Sequence, residues 1–142
     1  MRENPPGIDP FSPNFPYGSD GREGKLFLEF EDSFNIRDSL ILCRFYRDIY
    51  WDWNYLSTIV EVTTGLKLNE AQLRKISSTI QNETRRFNLR EGITAKDDSL
   101  PKRFFDEPLG KEGKTIRREE LQRMLQDYYA LRGWSAEGVP KS

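Results

Sequence analysis

Leu68-Asn69-Glu70-Ala71-Gln72-Leu73-Arg74-Lys75-Ile76-Ser77-Ser78-Thr79-Ile80-Gln81-Asn82-Glu83-Thr84-Arg85-Arg86-Phe87 is the stretch on which the fold turns. Asn69 is suited to cap a helix, and Gln72, three residues on, completes the pattern of a capping box. Leu68 and Leu73 stand at the two positions of a hydrophobic staple across that start. Leu73, Ile76, Ile80 and Phe87 then recur at helical spacing as one apolar stripe, with Thr84 interrupting it. Gly92 is placed to end the extension. A run of this length with both ends marked predicts helix, and it sets the scale against which the rest of the chain is read.

Towards the C-terminus, Thr94 to Asp97 reads as a short capped turn, and Pro101 limits any helix directly before it. Gly110 to Gly113 reads as a loop. A last helix is predicted from about Arg117 to Arg132, with Leu121, Met124, Leu125, Tyr128 and Leu131 inward. Gly133 fits its C′ position, and Trp134 can fold back on Tyr129. Towards the N-terminus, Trp53, Leu56 and Val60 form a helical stripe that Gly65 can stop. Leu26, Phe27, Phe30 and Phe34 form another, from Lys25 onward. A further helical run is predicted from Asp38 to about Asp48, with a break at Asn35 to Arg37 and Asp38 as its N-cap. Residues 1–24 are dense in proline and glycine and read as an irregular arm, followed by a helical domain over 25–142. Phe11, Phe15 and Tyr17 are unusual for a free linker and suggest that the arm lies on a surface. There are no alternating strand-length runs and no repeats. The expectation is an all-α domain of about five packed helices.

At 142 residues the chain is one domain, long enough for a real core. Eighteen aromatics argue against general disorder, and a net charge of −1 gives no pull towards nucleic acid or an acidic membrane. One cysteine excludes an internal disulfide, and histidine is absent. With no signal peptide pattern and no long apolar run, the expectation is a cytoplasmic, soluble domain with no nucleic acid or membrane partner.

Arg37-Asp38-Ser39-Leu40-Ile41-Leu42-Cys43-Arg44-Phe45 contains that single thiol. On a helix, Asp38 and Cys43 would point to different sides, so they would contact two groups of one large ligand rather than chelate one ion. The plain alternative is a small apolar thiol packed in a helix core. Elsewhere, Tyr50-Trp51-Asp52-Trp53 could stack on a flat ligand or anchor a core. Arg85-Arg86 with Arg90, and Lys102-Arg103, could bind phosphate, but ion pairs with Glu83, Glu91, Asp97 and Asp98 are the simpler account. The Asp97-Asp98 pair has no positioned catalytic partner, and capping explains it more simply.

Three blocks carry a resemblance. Arg86-Phe87-Asn88-Leu89-Arg90-Glu91-Gly92-Ile93-Thr94 with Asp97-Asp98-Ser99-Leu100-Pro101-Lys102-Arg103 is the first. Tyr128-Tyr129-Ala130-Leu131-Arg132-Gly133-Trp134 with Gly138-Val139-Pro140 is the second, and Asp38 to Phe45 is the third. In this order they resemble the C-terminal region of the tungsten-containing aldehyde:ferredoxin oxidoreductase family, over roughly residues 25 to 140. The resemblance implies an enzyme that oxidises aldehydes to carboxylic acids with ferredoxin as acceptor. It also implies a tungsten (or molybdenum) bis-pterin and a [4Fe–4S] cluster in the intact enzyme. It makes Cys43 the counterpart of the last cluster-ligating cysteine and Asp38 the counterpart of a carboxylate on the amino-pyrimidine edge of one pterin. Both residue types suit those tasks. Ile41 is a departure, standing where the family usually has glycine, and its branched side chain takes room that a cofactor-facing glycine would leave.

The other cluster cysteines, the pterin-embracing domain and the catalytic residues of the family have no counterparts in this chain. One thiolate cannot hold a cluster that normally takes four. The resemblance therefore implies a part of such an enzyme, with no catalytic residue of its own. The chain alone is expected to be inactive and to bind no cofactor, with a missing pterin domain as partner. Its orphaned interface would be prone to self-association. The contrasting reading, from another class, is a free-standing helical adaptor that has lost the cofactor.

Overall fold

The computed structural model describes residues 22–43, 45, 52–108, 113 and 115–141. Five helices follow in order: α1 (Arg22–Ser39), α2 (Trp53–Thr64), α3 (Glu70–Arg90), the single turn α4 (Arg103–Asp106) and α5 (Arg118–Arg132). Among the described residues, β pairing is limited to an isolated antiparallel bridge between Trp134 and Pro140. The chain is all-α, as its periodicity predicts. The arm's Phe11, Phe15 and Tyr17, together with Tyr50, Trp51 and most of the Gly110–Gly113 loop, lie outside the described residues.

The capping chemistry of α3 matches its sequence. Gln72 N–H donates to Asn69 Oδ1 at 3.0 Å, and Asn69 N–H donates to Gln72 Oε1 at 2.9 Å. A cap of this kind contributes about 1 kcal/mol. Asp52 caps α2 by accepting from Asn54 N–H at 2.9 Å, and Gly65, at φ 77°, closes it. The Thr94–Asp97 turn also forms, with Thr94 N–H donating to Asp97 Oδ2 at 2.8 Å. Backbone N–H bonds made to that carboxylate, then the one from the Thr94 hydroxyl, hold Asp97 below the usual carboxylate range.

Two apolar faces differ from expectation, for a shared reason. The inward ridge of α3 is Leu73, Ser77 and Arg85, at steps of four and eight residues, while Ile76 is 40% and Phe87 54% exposed. The facing side of α1 is polar there, so α3 rotates to present matching groups. Ser77 Oγ donates to Asp32 Oδ1 at 2.8 Å, and Asn35 Nδ2 donates to Ser77 Oγ at 2.9 Å. On α5, Tyr129 is buried and Leu131 is 49% exposed, the reverse of the predicted order.

α1 itself is a correction. It begins three residues before Lys25 and runs unbroken through Asn35–Arg37, because that segment is fastened to the rest of the fold. Ile36 is core, Arg37 is buried, and Gln81 Nε2 donates to Asn35 Oδ1 at 3.1 Å. Asp38 is therefore not an N-cap: it sits in the last turn of α1, at the negative end of the helix dipole. Leu40 to Cys43 are turn and irregular backbone rather than the start of a second helix.

The apolar core occupies one end of the bundle. Ile36, Leu56, Val60 and Leu73 form it, with Leu40, Leu42, Trp53 and Leu68 packed around them. The other end is held by charge and aromatic rings. Arg132, its side chain 1% exposed, meets Asp32 at 2.7 Å and Glu31 at 2.5 Å, tying α5 to α1. Burial penalises its charged form, but the hydrogen bond to Asp32 and the attraction of its neighbours outweigh that, so it is held firmly protonated. Arg85 forms a bidentate pair with Asp98 at 2.9 and 2.6 Å and donates to the Gly138 carbonyl at 2.8 Å. Tyr129 OH also donates to Asp98, and Trp134 stacks on Tyr129 with ring centres 6.0 Å apart. Burial, then the hydrogen bond to Asp98, push the Tyr129 hydroxyl up to about 12. Gly138 is required at this crossing: a Cβ there would stand 2.6 Å from Arg85 Nη2 and 2.9 Å from Tyr129 Cζ.

Candidate cofactor-facing turn at the end of the first helix

The segment carrying Asp38 and Cys43 is a helix exit. Ile41 N–H donates to the Asp38 carbonyl and Leu42 N–H to the Arg37 carbonyl, each at 3.0 Å. That pair of bonds is a Schellman motif with Ile41 at C′. The same pattern closes α3 at Gly92 and α5 at Gly133, and both glycines have positive φ. Ile41 takes φ 57°, the only described non-glycine residue with positive φ. A β-branched side chain is strained in that region.

Side chains alternate along the exit. Leu40 and Leu42 turn inward onto the core cluster and anchor the turn. Ile41, 91% exposed, and Cys43, a free exposed thiol, face outward. Asp38 is exposed one turn earlier. Phe45, beyond Cys43, is 95% exposed. The structure thus brings the two predicted site residues to one surface turn, and the buried-thiol alternative does not hold. The sequence reading missed the turn itself. Leu40-Ile41-Leu42 is a continuous apolar run, which carries no local signal of a turn and fits helix equally well.

The remaining candidates are structural. Arg85 is engaged by Asp98, Arg86 by Glu83 at 2.5 Å, and Lys102 and Arg103 pair with Asp106 and Glu107 at 3.6 and 3.7 Å. Trp53 carries the Arg74 guanidinium over its ring at 4.4 Å and serves as an anchor. Among the described residues, no group of three or more cysteine, aspartate, glutamate or histidine side chains is placed to hold a metal ion. No described helix is long and apolar enough to cross a membrane.

The backbone strain at Ile41 has a measurable consequence. Ile41→Gly is expected to raise stability by about 0.5–1 kcal/mol, the αL penalty relieved minus the entropy glycine adds to the unfolded chain. Urea denaturation checks this, and an unchanged or lower midpoint would show that the turn carries no strain.

Residues 3–142 match the family profile described as aldehyde ferredoxin oxidoreductase, domains 2 & 3. The tungsten-containing aldehyde ferredoxin oxidoreductase of Pyrococcus furiosus is 33% identical over 94% of this chain. The proteins of the same name from Thermococcus kodakarensis and Pyrococcus horikoshii are each 32% identical, over 94% and 92% of it. The chain spans 22–23% of the length of these curated relatives. Over that span, this chain belongs to the aldehyde ferredoxin oxidoreductase family.

Proposed function

We propose that the chain is the C-terminal helical part of an oxidoreductase that converts aldehydes to carboxylic acids with ferredoxin as electron acceptor. The observation that carries this reading further than family membership is the α1 exit, where Asp38 and Cys43 are exposed together. When bound, a tungsten pterin would carry the oxidation and an adjoining [4Fe–4S] cluster would pass the electrons on. The residues present suit such a group. Cys43 offers an outward thiol, the ligand type that iron–sulfur clusters take. Asp38 offers an acceptor carboxylate for pterin N–H donors. Leu40 and Leu42 fix the turn from below, so both groups are held by packing rather than by a free loop. Ile41, 91% exposed, lies between them in sequence and stands where the family usually has glycine.

The rest of the site belongs to a partner, a pterin-binding domain or subunit that supplies the remaining thiolates. The chain by itself is expected to be inactive. Native thiol labelling of the isolated chain should modify Cys43 quickly, and slow labelling reversed only by denaturant would contradict its exposure. The assignment itself is tested by co-expressing the chain with a pterin-domain protein and measuring iron and absorbance after anaerobic reconstitution. Cys43→Ala should lower the cluster content of the complex while leaving association intact. A full complement of four irons in that variant, or on the chain alone, would overturn the role given to Cys43.

A further inference from the structure

Between α1, α3 and α5, at the charged end of the bundle, lies a cavity of about 690 Å³, a size at which sites enclose a small organic ligand. It exists because α3 and α5 each pack along α1 while their backbones scarcely approach one another. Large side chains prop the two helices apart. The Arg85 guanidinium lies 5.9 Å from the Tyr129 ring centre and 5.5 Å from that of Trp134, and Trp134 Nε1 donates to Asn82 Oδ1 at 2.7 Å. These props are fastened by hydrogen bonds, so the walls stand ready and a ligand would not have to order them.

The walls divide by chemistry. Phe27 and Phe30 of α1, with Leu121, Met124 and Leu125 of α5, make one side apolar, and the Phe27 ring meets Tyr128 edge-on at 5.4 Å. Aromatic and thioether walls favour a flat ring over a flexible chain. The charges on the wall are already satisfied. Arg85 is paired with Asp98 at 2.6 Å and Glu31 with Arg132 at 2.5 Å, so an ionic ligand finds no unmatched counter-charge. Taking a charge out of water without one is costly. Asn88 differs from these groups. Its half-buried carboxamide lines the cavity from α3 and makes no hydrogen bond among the described residues. A carboxamide both donates and accepts, so its natural complement is another amide. We propose that this cavity binds an uncharged aromatic molecule bearing a carboxamide, its ring against Phe27 and Met124 and its amide on Asn88. From Glu31, the last residue of α1 on the wall, to Asp38 the helix rises about 10 Å. The site therefore does not depend on the role proposed for Asp38 and Cys43.

Cinnamamide and cinnamate serve as probes, alike in shape and different in charge. The chain has two methionines, Met1 and Met124, and Met124 lines the cavity. A ¹³C-methyl-methionine spectrum of the full chain therefore reports the site through one internal signal. Cinnamamide should shift the Met124 methyl saturably, and cinnamate should bind about tenfold more weakly or worse. Asn88→Leu should weaken cinnamamide binding by about tenfold. Circular dichroism identifies a variant that fails to fold, in which case Asn88→Ser, which removes the amide and adds no bulk, gives the same readout. A Met124 signal unmoved by millimolar cinnamamide overturns the proposal, as does equal binding of cinnamate or undiminished binding in the folded Asn88 variants. So does a signal that moves with protein concentration before any probe is added, which would make a second copy the occupant.

Discussion

Replacing Arg132 with methionine is expected to destabilise the domain by about 3–5 kcal/mol, because it leaves buried carboxylate uncompensated. Asp32 is 3% and Glu31 20% exposed at their side chains, and Arg132 is the cation that meets both. Thermal denaturation should show a loss of roughly 10 °C or more. Arg132→Lys should fall between, since an ammonium keeps the charge and loses the fork that reaches two carboxylates at once. If the methionine variant melts with the wild type, the charged end of the bundle is not what joins α5 to α1.

The second large effect separates the two faces of α3. Leu73→Ala should cost about 2–5 kcal/mol, as the side chain is 1% exposed inside a core of few residues and the cavity has little room to collapse. Ile76→Ala and Phe87→Ala should each cost under about 1 kcal/mol, as exposed positions do. A stripe read from hydrophobicity alone predicts comparable losses at all three. Chemical denaturation of the three variants side by side decides between the faces.

That contrast shows what the sequence could convey. Helix ends were legible where their signals are local: Asn69 with Gln72, Gly65, Gly92 and Gly133 each act within a few residues of themselves. The facing of helices was not, because it depends on partners far along the chain. Ser77 and Arg85 point inward only because Asp32 and Asp98 wait there, 45 and 13 residues away. The α1 exit fell between these cases. Glycine at its C′ position would have announced the turn, and Ile41 concealed it. The family resemblance picked out Asp38 and Cys43, but not that they stand on a helix exit.

The separation of partners along the chain also orders the assembly of the domain. Asp32 meets Ser77 across 45 residues and Arg132 across 100. Closing the longer loop costs only about 0.7 kcal/mol more in chain entropy, but during synthesis it comes later. α1 and α3 can therefore pair on the emerging chain before α5 exists. In that interval Glu31 and Asp32 are neighbouring carboxylates with their arginine still unmade, so the half-formed bundle is charged where it would otherwise be adhesive. Hydrogen exchange on ribosome-bound chains arrested before α5 emerges should already find α1 and α3 amides protected, and protection that appears only once α5 is present would reverse this order. Arg132 then acts as a late latch on two helices already in contact.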